Sequence, residues 1–225
     1  MKHNLQAILV AKISQEEQEE AQVAAIEVLT ALVTNNRICY KACVAGGLVE
    51  TVVAKLAEEP SSAVQAAACN CISAVAYEYE GKDESVKRGA MAQLVPLLSS
   101  NDNAVRMNSS AALMHVTNSL LVSLFDIFSI SSSYLILIFM PQGKNAALEV
   151  EAPKACMERI FDPVEVVAAN SMQAIANMAE HPKVRFSELF LDESTLEKLK
   201  QAGEGRGKLA EQGSKIAREK ILWRP

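Results

Sequence analysis

A helical segment returns along this chain, and its return limits the fold more than any other feature. Ala66–Ala76 (AAACNCISAVA) reappears in altered form at Met107–Thr117 (MNSSAALMHVT) and Ala169–Ala179 (ANSMQAIANMA). The central apolar residue is Ile72, then Leu113, then Ile175, at spacings of 41 and 62, and an earlier copy centred on Leu29 lies 43 before Ile72. The long spacing exceeds its neighbour by 21, the full length of residues 122–142 (VSLFDIFSISSSYLILIFMPQ). Without that stretch the array is regular. A fixed period of this size reads as stacked units, each burying its apolar face on the next.

Within a unit the same order recurs. Gln22–Val33 carries apolar residues at helical spacing, and NNRICYKACVAGGLVETVVAKL (35–56) then gives a turn, a short helix, a break at Gly46–Gly47 and a further helix. Glycine takes the positive φ that such a break needs. EEPSSAV (58–64) is a loop before the helix Val64–Ala76; Gly89 opens the next round, Asn101–Asn103 turn it, and Val105–Thr117 is its long helix. Asp162 with Pro163 predicts a cap and first-turn proline for a helix over Val164–Ala179. No useful strand-period alternation appears. With half its 225 residues apolar and 5% aromatic, the chain suits small side chains between close helices.

This flow resembles the armadillo repeat, in which a long helix, an Asn-Arg turn, a short helix ending in a glycine pair and an apolar helix follow one another. Asn36–Arg37, Gly46–Gly47 and LVETVVAKL carry the match. The resemblance implies an all-α, right-handed α-solenoid with a C-terminal helical tail. The expected divisions are a partial repeat over 1–45, repeats over 46–88, 89–151 (interrupted by 122–142) and 152–190, and the tail over 191–225. The tail comprises Ser194–Ala202, started by Asp192 or Ser194, and the amphipathic helix Lys208–Leu222. GEGRGK (203–208) between them reads as a flexible hinge, because no strand precedes it and no Ser or Thr follows Lys208 as in a phosphate loop.

In the second half VRMNSSAALM (105–114), GKNAALEVEA (143–152), ANSMQAIANMAEHP (169–182) and SKIAREKILWRP (214–225) are similar to the ciliary radial spoke head protein 14 family. The similarity runs over roughly 5–225 with 122–142 skipped. It implies a non-enzymatic structural subunit of the ciliary or flagellar axoneme, with other radial spoke proteins as partners. This chain lacks the further repeats that precede such a segment in the family, so Met1 falls inside a repeat helix with no polar cap before it. That predicts a truncated or mis-started chain of poor solubility.

Three readings of 122–142 compete. Leu120–Met140 is long enough to span a bilayer, but Asp126 and five serines oppose it, and a span would separate the last repeat from those it stacks on. A genuine insertion would expose Phe125, Ile127, Phe128, Leu135, Ile136, Ile138 and Phe139. The favoured reading is a retained intron. Val122–Ser123 can be encoded by the donor-like GTAAGT and Gln142 by CAG, and excision joins Leu121 to Gly143 in frame.

No catalytic constellation stands out: His3, His115 and His181 lie far apart with no motif around them. The cysteines Cys39, Cys43, Cys69, Cys71 and Cys156 sit in apolar helical patterns, without a secretory signal, and read as buried reduced thiols. Zinc ligation by Cys39/Cys43 or Cys69/Cys71 lacks partner ligands. No metal, cofactor or small-molecule substrate is expected. The net charge of −5 opposes nucleic-acid binding, and Glu16–Glu20 reads as a solvated helix start. In armadillo proteins the long helices line a concave groove, and importin-type members place a Trp and an Asn there, four residues apart. The corresponding Asn positions here are Ala31, Ala74, His115 and Asn177, and those four earlier are Glu27, Asn70, Ala111 and Gln173. No Trp is among them, so an import receptor for basic peptides is not expected. Glu27, Asn70, His115, Gln173 and Asn177 remain candidate protein-binding residues for a soluble adaptor holding an extended peptide. In the tail, Ile216, Ile221, Leu222 and Trp223 are expected to cap the last repeat, or else Trp223 anchors a partner. A membrane-anchored scaffold depends wholly on 122–142.

Overall fold

The computed structural model describes residues 5–15, 18–58, 60–118 and 142–223. The span, insertion and intron readings of 122–142 fall on 119–141, outside the described residues; Gln142 already opens a helix. Among the described residues no helix is long and apolar enough to cross a membrane, and there is no strand.

The chain divides into two compact units, Met1–Val116 and Thr117–Pro225. The first contains α1 (Leu5–Gln15), α2 (Glu19–Asn35), α3 (Arg37–Ala45), α4 (Leu48–Ala57), α5 (Ser62–Val75), α6 (Tyr79–Lys87), α7 (Ala90–Leu97) and α8 (Asn103–Thr117). In α2 the buried residues Gln22, Ala25, Ile26, Leu29 and Val33 recur at helical spacing and form one stripe against the core. Asn36 ends that helix and caps the next, its Oδ1 accepting from Ile38 N at 2.9 Å and Cys39 N at 3.1 Å. Asp102 does the same for α8, accepting from Ala104 N and Val105 N. The predicted breaks are present: Gly47 (φ 84°) stands between α3 and α4, and Gly89 (φ 75°) between α6 and α7. Each takes the left-handed conformation that lets a short helix stop and another leave at an angle. Asn108 Nδ2 donates to Ala66 O at 2.9 Å, fastening α8 beside α5.

The second unit contains α9 (Gln142–Glu149), α10 (Ala152–Arg159), α11 (Glu165–Ala179), α12 (Pro182–Arg185), α13 (Glu188–Leu191), α14 (Glu193–Gly203) and α15 (Lys208–Leu222). Between α9 and α10 the left-handed break recurs on a residue with a side chain, Glu151 (φ 53°). Asp162 does not cap a helix at Val164 as the sequence suggests. It accepts from Val164 N at 3.0 Å in a turn, and α11 begins at Glu165. Asp192 caps α14, accepting from Ser194 N at 2.9 Å.

The helical tail continues the array. Short helices α12 and α13, then α14, then the long α15 repeat the order of the units before them. The long helices begin at Glu19, Ser62, Asn103, Glu165 and Lys208, and the step from Glu165 to Lys208 equals that from Glu19 to Ser62. Helix α15 packs along α11 through buried Ala210, Gly213, Ser214, Ala217 and Ile221. Of the residues expected to cap the last repeat, Ile221 is buried and Ile216 half-buried, whereas Leu222 and Trp223 stay exposed. GEGRGK is held rather than hinged. The Arg206 guanidinium donates to Ile160 O at 2.9 Å and to Asp162 O, and Glu165 Oε1 accepts from Leu209 N at 3.1 Å at the start of α15.

Candidate protein-binding faces

Residues four and seven positions apart lie on one face of an α-helix. On α5 and just past its end that series is Asn70, Ala74 and Tyr77; on α8 it includes Ala111 and His115; on α2, Glu27 and Ala31. Glu27, Ala31 and Asn70 are exposed, while Ala74, Ala111 and His115 are half-buried. The packing of α8 beside α5 brings Tyr77 edge-on to His115, with ring centroids 5.9 Å apart and planes at 62°. Tyr77 is 71% exposed, so the pair forms an aromatic platform open to a ligand. His115 is kept neutral: burial first, then the Lys82 charge, lowers its pKa.

In the second unit Gln173, Asn177 and Glu180 form the corresponding series on α11, and Ile216, Lys220 and Trp223 the one on α15. Gln173 Nε2 donates to Asn177 Oδ1 at 3.2 Å, and Asn177 is only 7% exposed. Glu180 accepts from Lys144 Nζ at 2.5 Å and from Lys220 Nζ at 2.7 Å. The Lys144 side chain is 3% exposed. Burial lowers its pKa most, and the Glu180 carboxylate opposes that shift. Arg185, itself buried, closes the end of α11: its guanidinium donates to Ala179 O at 2.9 Å, Glu180 O at 3.2 Å and Trp223 O at 3.3 Å. The same group lies 4.7 Å from the centroid of the Trp223 ring, a cation–π distance. Lys144, Glu180 and Lys220 come from GKNAALEVEA, ANSMQAIANMAEHP and SKIAREKILWRP, so three separated segments meet in one ion-pair cluster.

The predicted residues thus separate. Glu27, Asn70 and His115 belong to the first unit, Gln173 and Asn177 to the second. Sequence reading missed Tyr77, Lys144, Glu180, Arg185 and Lys220. Tyr77 and Glu180 could have been found by extending the helical series three positions beyond the Asn-equivalent residue; the lysines and Arg185 gave no local signal. Cys39 is half-buried and the other four cysteines are buried, all of them free thiols. Among the described residues no group of three or more His, Cys, Asp and Glu side chains is placed to hold a metal.

No protein-family model matches the chain, and no curated protein matches it. Solved structures do. The crystal structure of an engineered protein superposes with a TM-score of 0.78 at 21% identity, covering 96% of this chain and 78% of its own. Computationally designed armadillo repeat proteins for modular peptide recognition give 0.72 at 18% identity, covering 95% and 81%. A designed armadillo repeat protein in complex with the peptide (KR)4 gives 0.53 at 17%, covering 96% and 98%. The chain has an armadillo-like helical repeat fold, an all-α solenoid.

Proposed function

We propose that this protein is a non-enzymatic protein-binding scaffold that takes an extended segment of a partner along the exposed faces of its long helices. The observation that carries this reading is the register of those faces. Asn70 and the Tyr77–His115 platform in one unit, and Gln173, Lys220 and Trp223 in the other, occupy the same helical series. Amide side chains can hydrogen-bond an extended backbone, which has no internal partners for its N–H and C=O groups. Aromatic rings with exposed area supply anchors. Solved designs of this fold recognise peptides, one of them (KR)4, which supports the mode of binding.

The test is selection of phage-displayed random peptides on the full chain, followed by affinity measurements with Asn70→Ala, Tyr77→Ala and Gln173→Ala. Each substitution should weaken the peptides held on its own unit's face by about tenfold, the loss of roughly 1.4 kcal/mol. Unchanged affinity in all three variants rejects both faces.

A second reading is a radial spoke subunit of the ciliary axoneme, held by its edges to neighbouring spoke proteins. It is favoured by the order of the four segments quoted above. Tagged protein retained on detergent-stripped axonemes until high salt supports it; absence from cilia rejects it, and with it the ciliary localisation.

A further inference from the structure

The end of α11 in the second unit carries a charge opposite to that of the chain. The charges acting on buried Lys144 are those of Glu180, Lys220 and Arg185, and those acting on His181 are Lys183 and Lys144. His181 is kept uncharged by burial and by those two lysines. Among the charges acting on Lys144 and His181, the cations Lys144, Lys183, Arg185 and Lys220 outnumber the carboxylate of Glu180, in a protein whose net charge is −5. Glu180 brings one negative charge and is engaged by two lysines. Lys183 is exposed and the Lys220 side chain is 45% exposed, so the excess charge reaches solvent. Beside it stands an apolar rim: Trp223 is 54% exposed, and Phe186 and Leu222 are exposed as well. The Trp223 ring is fixed by Arg185, which bonds its carbonyl and packs against its face. An anchor held rigid in advance loses little entropy when a ligand arrives.

We propose that this cluster is the docking position for an acidic linear segment of a partner protein. Carboxylates meet Lys220 and Lys183, an apolar side chain packs on Trp223, and Gln173 on the adjacent turns hydrogen-bonds the backbone. The proposal rests on the peptide-scaffold reading and adds the sign of the ligand, opposite to (KR)4. Lys144 and Arg185 are buried and tied, so few cations face outward. That is too small a set for a phosphate backbone, whose binding is built on many phosphate contacts, or for an anionic membrane, which calls for clusters of about 4–8 exposed basic residues.

Trp223 is the sole tryptophan of the chain, so its emission reports on this position directly. The full chain is titrated with synthetic Glu–Leu, Gln–Leu and Lys–Leu repeat peptides of equal length. The Glu–Leu peptide is expected to shift Trp223 emission saturably, and to do so more weakly at high salt. Lys220→Glu should weaken it by about tenfold or more, while Lys220→Arg retains it. Equal or better binding of the Gln–Leu or Lys–Leu peptide overturns the acidic assignment and leaves the scaffold reading standing. No shift with any of the three overturns the acidic docking position, while the peptide selection above decides the scaffold reading separately. A saturable shift of the same size with phosphatidylserine vesicles or single-stranded RNA overturns the protein partner.

Discussion

The phenolic oxygen of Tyr40 accepts the backbone N–H of Gly81 at 2.7 Å and donates to Val75 O at 3.2 Å, joining α3, α5 and α6 through one buried hydroxyl. The fit leaves no room for a side chain at 81: a β-carbon there would lie 2.6 Å from the Tyr40 oxygen and against the Val75 carbonyl. Tyr40→Phe should cost about 1–3 kcal/mol, because it leaves the buried Gly81 N–H without its acceptor and leaves Val75 O only the longer bond from Glu78 N. Gly81→Ala should cost a similar amount by forcing backbone apart. Urea unfolding of each variant checks both; a midpoint unchanged in Tyr40→Phe would show that the hydroxyl is dispensable.

Removing the Glu180 charge should unsettle the second unit. Glu180→Gln leaves Lys144 buried without its anion, and breaking such a pair costs about 3–5 kcal/mol. The partly exposed Glu180 places this case at the low end. The paired replacement Lys144→Met with Glu180→Leu should recover most of the loss, since the buried ammonium is gone and Lys220, 45% exposed, can be solvated. Hydrogen exchange of α11 and α15 amides reads the effect within the unit itself.

Glu151 predicts a gain. Its left-handed backbone (φ 53°) disfavours any residue with a β-carbon, by roughly 1–2 kcal/mol for an L-residue. Glycine serves at the equivalent breaks 47 and 89. Glu151→Gly should therefore raise stability by about 1 kcal/mol, after the extra unfolded-state entropy of glycine is subtracted. A lower thermal midpoint would mean that the Glu151 side chain makes a compensating contact.

The buried thiols and Tyr40 make the fold sensitive to alkali. Burial pushes Cys43 up to about 11 and Cys69, Cys71 and Cys156 up to about 12, from an ordinary value of 9.0. Burial likewise pushes Tyr40 up to about 12 from 10.0. Folded values above unfolded ones mean that this stability is complete below about pH 9 and is lost as pH rises through 11 and 12. The urea midpoint should hold steady near neutral pH and fall above about pH 9, with thiol reactivity appearing alongside unfolding. Reaction of Cys43, Cys69, Cys71 or Cys156 in the folded protein at neutral pH would contradict this burial.

Much of the architecture was legible because it is written in short-range pattern. The stripe Gln22–Val33, the turn at Asn36–Arg37, the cap Asp192, the breaks at Gly47 and Gly89, and the helix Lys208–Leu222 each depend on neighbours within a turn or two. The repeat followed from them, because a helix stripe that cannot be buried alone must be buried on the next copy. Stacking decided the rest. The left-handed Glu151 carries no glycine to announce it, and the tail shows its kinship to the repeats only in the placement of α12 to α15. Tyr77 meets His115 only once α8 lies beside α5, and Lys144, Glu180 and Lys220, some forty residues apart in succession, meet only when three helices settle in one register. A sequence determines which face of each helix is apolar; which polar residues then share a surface is set by how those faces pack, and the proposed binding faces are built at that level.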